Sequence, residues 1–249
     1  MDPRTAPRSR RERPAKPALS RAVIVAAAME ITRAEGLPKV TMRRLARALD
    51  TGPASLYVYV ANTAALHAAI LDEFLGTVEA PAEGEWHERL EGLLGAYTAV
   101  LLAHPGLAAS ALVARPGGPR YLALLETLLR LLDEGGVSGG RAAWGVDALL
   151  LHATATAAEH AGRDGAEADA DQDDWDALTR AVGAVDGRTH PRIAALGSAL
   201  MSGTPHERLA WGFRTLINGI AHTPVPIEPV PTEPVPTEPV PTETPGAAS

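Results

Sequence analysis

Residues 41–59, TMRRLARALDTGPASLYVY, constrain this chain more than any other stretch. Thr41 is placed to N-cap a helix, and Leu45, Ala46 and Leu49 then fall on one apolar stripe. Asp50-Thr51-Gly52 breaks the pattern. Pro53 suits a first helical position, where no N–H is needed, so a second helix starts there and runs through Ser55, Leu56 and Val58 to Tyr59. A helix, a tight turn and a second helix make a helix-turn-helix, whose second helix enters the DNA major groove. The small residues Pro53, Ala54 and Ser55 allow close approach to base edges, and Tyr57 and Tyr59 offer hydroxyls to phosphates or bases. A helical hairpin inside a core has the same spacing, so the pattern needs independent support.

Charge supplies it. The chain carries a net charge of −7, which argues against nucleic acid only until it is read by segment. Residues 1–60 hold 12 Lys and Arg against 5 Asp and Glu, and the remainder holds 11 against 25. A basic head on an acidic body is the footprint of a DNA-binding module joined to a regulatory domain. Arg43, Arg44 and Arg47 lie on the helix-turn-helix itself, where a merely solvated charge run does not account for them.

The segments LSRAVIVAAAMEITRAEGL and VTMRRLARALDTGPASLYVYV, with a further helix from Asn62, resemble the three-helix DNA-binding domain of the tetracycline-repressor (TetR) family. The resemblance is close over residues 19–75. It is looser downstream, through WHERLEGLLGAY, ARPGGPRYLALLETLLRLLDEGG and WGFRTLINGI, to about residue 222. It implies DNA contacts at Arg43, Pro53, Ala54, Ser55, Tyr57 and Tyr59, with Thr63 opening the next helix. Arg44 is a further candidate. Two departures matter. Asp50 stands where the family often has Gly and must take a left-handed conformation. Thr63 stands where a lysine often supports phosphate binding, and Arg10, Arg11 and Arg13 of the N-terminal segment are candidates to replace that contact.

The pattern predicts an all-α chain in four parts. Residues 1–18 alternate arginines with prolines and read as a disordered basic arm. Residues 19–75 form the helix-turn-helix domain, opening on a helix capped by Ser20 with Val23, Ala27, Ile31 and Ala34 on one face. Residues 76–222 form a helical ligand-binding and dimerisation domain, with helices near 85–103, 106–113, 118–134, 139–161, 174–183, 191–201 and 205–222. The acidic stretch 164–176 reads as a loop. Residues 223–249 repeat Pro-Val-Pro-x-Glu and read as a disordered, solvated tail. No period-2 run predicts strands.

Cysteine is absent, which removes disulfides and thiolate zinc sites and suits a reducing cytoplasm. No run of about 18–20 apolar residues suggests a membrane span. G-x-S-x-G, H-E-x-x-H, Walker A and G-x-G-x-x-G are all missing, so neither catalysis nor a cofactor or metal is expected. Helical domains of this kind commonly surround a cavity. Tyr97, His104, Arg115, Tyr121, Trp144, Asp147 and His152 are the candidate effector-binding residues. The resemblance argues against magnesium–tetracycline: Ala111 takes the place of the metal-ligating histidine and Glu79 roughly that of the drug-contacting one. It further implies a homodimer through helices 139–161 and 205–222, with Ala153, Ala157 and Gly212 allowing close approach. The reading is a one-component DNA-binding regulator, a repressor released from an inverted-repeat operator by a small organic ligand. An activator has the same sequence pattern, and the rival from another class is a helical ligand carrier or enzyme with a vestigial basic head.

Overall fold

The computed structural model describes residues 18–104, 106–113, 116–160 and 166–226, with backbone alone for 166–172. Arg10, Arg11, Arg13 and Arg115, together with nearly all of the expected arm and tail, lie outside the described residues. The described part is all α, with no strands among those residues.

Local capping starts each helix of the head. Ser20 Oγ accepts from the Val23 amide at the start of α1 (Arg21–Glu35), and Gly36, at φ +84°, ends that helix. The buried face of α1 is Ile24, Val25, Ala28, Met29, Ile31 and Thr32. It lies about one residue further along than the expected stripe, which leaves Val23 and Ala27 half-buried and Ala34 exposed. Thr41 Oγ1 accepts from the Arg44 amide to open α2 (Met42–Ala48). Asp50 takes φ +49°, the left-handed turn conformation that its place required.

The second helix of the motif is shorter than expected. Helix α3 covers Pro53–Leu56 alone, and residues 57–59 form a turn in which the Tyr59 amide donates to the Leu56 carbonyl. β-Branched Val58 and Val60 lower helix propensity here, and so short a helix has too little of its own stability to extend past them. Asn62 Oδ1 then caps α4 (Thr63–Leu75). Ile24, Leu45, Leu56, Leu66 and Ile70 are fully buried and hold the head together.

Helix α4 continues into the body, where it packs on α6 (Leu107–Val113) and α7 (Pro119–Glu134). Helix α8 (Gly139–His160) runs through the middle, against α5 (Trp86–Ala103), α6, α7 and α11 (Pro205–His222). Reciprocal capping boxes, Glu85 with Glu88 and Thr204 with Glu207, open α5 and α11.

Further expectations fail in the body. The acidic stretch expected as a loop is helical from residue 166, in α9 (Ala166–Gly183). Alanines have the highest helix propensity, and the carboxylates of this stretch suit the positive end of a helix. The expected helix 191–201 breaks at Gly197, φ +51°, into α10 (Pro191–Leu196) and a 3-10 turn. Ala153 and Ala157 are wholly buried inside the protomer, so they face its own core and not a partner.

Candidate nucleic-acid interface and effector cleft

The head presents its reading face through two inward anchors. Leu56 and Val60, four residues apart, are buried, and everything between them points outward. Tyr57 is 53% exposed, Val58 79% and Tyr59 40%. Pro53, Ala54, Ser55 and Thr63 are also exposed, as is Arg43 on α2. Arg44 differs: its guanidinium pairs with Glu35 at 2.5 Å, which braces α2 against α1 and offsets its charge. Val58 was not among the expected contact residues, because an apolar side chain beside Leu56 and Val60 reads as core, yet the structure exposes it on this face. The signal was available, since those two anchors already fill the inward positions.

Of the seven effector candidates, Arg115 lies outside the described residues, and the other six do not converge on one site. Tyr121, Trp144 and Asp147 line a cleft of about 730 Å³ between α7 and α8, with Pro116, Leu125 and Leu151. Tyr97 lies in the core, its hydroxyl 2.8 Å from Thr154 Oγ1, and burial pushes its pKa up to about 12. His104 stacks on Phe74 with ring centroids 3.8 Å apart, and its pKa is lowered by burial and by the nearby Arg33 cation. His152 lines a separate cleft of about 470 Å³ with His160, Trp175 and Arg208. Its Nε2 is buried with no hydrogen-bond partner among the described residues, the ring meets Phe213 edge-on, and burial lowers its pKa.

Ala111 is buried and Glu79 exposed, and the described residues hold no group of three His, Cys, Asp or Glu able to grip a metal ion. No single helix among them is long and apolar enough to cross a membrane. Sequence reasoning also missed two polar ties from α4 into the body, His67 to Ser110 and Asp72 to the Tyr121 amide.

A helix-turn-helix head on a helical body with a cleft defines a class of DNA-associated regulatory proteins, and comparison narrows it. The model for bacterial regulatory proteins of the tetR family matches residues 24–70, and that for the tetracyclin repressor-like C-terminal domain matches residues 80–223. The chain belongs to the TetR family. A Streptomyces coelicolor structure described as a transcription regulator is 55% identical, over 85% of this chain and 98% of that one, with TM-score 0.72. The Streptomyces coelicolor TetR family protein ActR, solved in complex with actinorhodin, is 32% identical over 82% of this chain and 96% of its own, with TM-score 0.71. The HTH-type transcriptional repressor DrrR1 of Streptomyces coeruleorubidus is 39% identical over 95 residues, which is 37% of this chain. The chain spans 52% and 35% of the lengths of the first two curated relatives it matches.

Proposed function

We propose that this protein is a one-component transcriptional regulator, a repressor that leaves an inverted-repeat operator when a small organic ligand enters the α7–α8 cleft. The observation that carries the reading is the exposed row from Pro53 to Tyr59, held outward by buried Leu56 and Val60. Ser55 and Tyr59 address base edges, Tyr57 and Arg43 address phosphates, and Thr63 sits at the positive end of α4. The cleft has an aromatic and aliphatic lining with one carboxylate, Asp147, which suits a planar apolar ligand carrying a hydrogen-bond donor. The ActR complex with actinorhodin supports a ligand-responsive body of this kind.

The protein works as a homodimer in the cytoplasm. Trp211 on α11 is 69% exposed, and pairing would cover it. Two recognition elements about one helical turn apart require a palindromic site. A coupling of about 1–3 kcal/mol between cleft and head changes operator affinity by roughly 5–150-fold.

The test is a mobility shift with DNA flanking the gene, followed by a small-molecule screen for release. Sequence-selective binding that Ser55→Ala weakens, and that a hit from the screen reverses, is expected. A chain that binds no DNA selectively, and keeps its ligand binding after residues 1–75 are removed, is a carrier and not a regulator.

A further inference from the structure

Helix α7 begins without a cap of its own. Its N-cap position is Gly118, which has no side chain to offer, and Tyr121 is the third helical residue, whose amide an N-cap side chain ordinarily satisfies. The acceptor comes instead from α4. Asp72 Oδ1, on a residue only 5% exposed, lies 2.9 Å from the Tyr121 amide nitrogen and accepts its proton. The carboxylate fills the place that a side chain at position 118 would take, and a Cβ there would overlap it. Gly118 has φ −77°, which any residue adopts, so space and not backbone conformation selects glycine. Arg120 closes the joint, with Nη1 2.7 Å from Glu73 and 3.8 Å from Asp72.

Tyr121 therefore belongs to two structures at once. Its amide is held by α4, and its residue lines the α7–α8 cleft. The other α4 side-chain hydrogen bond into the body among the described residues, His67 to Ser110, ends on α6, away from the cleft lining. Nine residues before Asp72, roughly 13 Å along the helix, α4 ends at Thr63 beside the proposed DNA face.

We propose that Asp72 is the positioning residue that makes α4 follow the effector cleft, acting as a cap supplied in trans to α7. This rests on the regulator reading of the cleft and the head. A buried charge-assisted bond is not readily exchanged for water, so the first turn of α7 and the second half of α4 move together. A ligand that displaces Tyr121 displaces α4, and with it the orientation of the reading face.

The test needs neither effector nor DNA. Ala148, on the α8 wall of the cleft, is replaced by Trp as a built-in occupant, and amide hydrogen exchange is followed in the full chain. In the native background, Ala148→Trp should change exchange at residues 119–122 and at 66–75 together. In the Asp72→Ala background the response at 119–122 should persist and that at 66–75 should shrink severalfold, to what the Arg120–Glu73 pair alone transmits. Loss of the cap should itself speed exchange at Tyr121 about fivefold. Should Asp72→Ala fail to fold, Gly118→Ala keeps the carboxylate but pushes it off the amide, and it should uncouple the two segments in the same way. Residues 66–75 responding equally in all backgrounds, or not at all in the native one, would overturn the proposal. Failure of the regulator reading would appear separately, in the mobility shift.

Discussion

His67 Nδ1 on α4 lies 2.8 Å from Ser110 Oγ on α6, while His67 Nε2 is buried with no hydrogen-bond partner among the described residues. A neutral imidazole is tolerated in this position, because only one nitrogen then carries a proton. Protonation would place a second N–H, and a positive charge, where nothing accepts it. Burial accordingly lowers the pKa of His67, and it does the same for His104 and His152.

The consequence is a stability that falls in mild acid. In the unfolded chain these histidines take up protons near their ordinary value of about 6.5, while the folded chain resists. Stability is therefore full above about pH 6.5 and declines as pH falls from there through the lowered folded-state values. Urea midpoints should drop between pH 7.5 and 5.5, and His67→Gln should shrink that drop. A midpoint equally acid-sensitive in the variant would remove His67 from the account.

Tyr97 and Thr154 form a buried pair between α5 and α8. With its pKa pushed up to about 12, the phenol stays protonated and keeps the hydrogen bond intact across the working pH range. Tyr97→Phe strands the Thr154 hydroxyl and should cost about 1–2 kcal/mol. The double variant with Thr154→Val removes both polar groups and should recover part of that loss. Denaturant unfolding of the four proteins gives the coupling directly.

What was legible in the sequence was what is decided locally. Ser20, Thr41 and Asn62 each cap the helix three residues downstream, within one turn of chain. Asp50 could be assigned its left-handed turn because the resemblance puts it where the family often has glycine. The end of α3 depends on a balance of about one turn of helix and was overestimated. The tertiary ties were not legible: His67 meets Ser110 across 43 residues and Asp72 meets Tyr121 across 49, with no periodicity to announce them. Site residues chosen by type scattered for the same reason. Whether Tyr97 or Tyr121 faces a cleft depends on how each helix is rotated, which packing sets.

On DNA, Ser55→Ala and Tyr59→Ala should each cost about 1–3 kcal/mol on the operator and little on random sequence. Val58, far more exposed than its structural neighbours require, is placed to meet a thymine methyl. Val58→Ser should weaken binding to the operator selectively, and replacing thymine by uracil at the contacted step should weaken native binding and leave the variant unchanged. Equal losses on operator and random DNA would assign all three residues to backbone positioning.

The arm makes a separate prediction. Five arginines and one lysine precede the head within residues 1–18. Their approach to phosphates releases counterions, and arginines of such arms enter minor grooves. Deleting 1–18 should weaken binding and flatten its salt dependence by roughly 0.9 log units for each phosphate that the protein no longer neutralises. Identical affinity and slope in the truncated chain would make the arm a passive leader.

The crossing of α8 and α11 gives the sharpest stability test, because two glycines interlock there. Gly145 on α8 receives Ile220 of α11, whose Cγ2 would lie 2.7 Å from a Cβ at that position. Gly212 on α11 receives the His152 ring of α8, and a Cβ there would overlap Nε2. Exchanging a mid-helix glycine for alanine ordinarily stabilises by about 1 kcal/mol. Gly95 in α5 has nothing near its missing side chain, so Gly95→Ala should show that gain. Overpacking costs about 1–3 kcal/mol. Because the His152 ring also meets Phe213 edge-on, that cost should outweigh the propensity gain and reverse the sign for Gly212→Ala. Adding His152→Ala to Gly212→Ala should restore part of the loss, since the new methyl then finds room. A Gly212→Ala protein as stabilised as Gly95→Ala would mean that α8 and α11 are not in contact there.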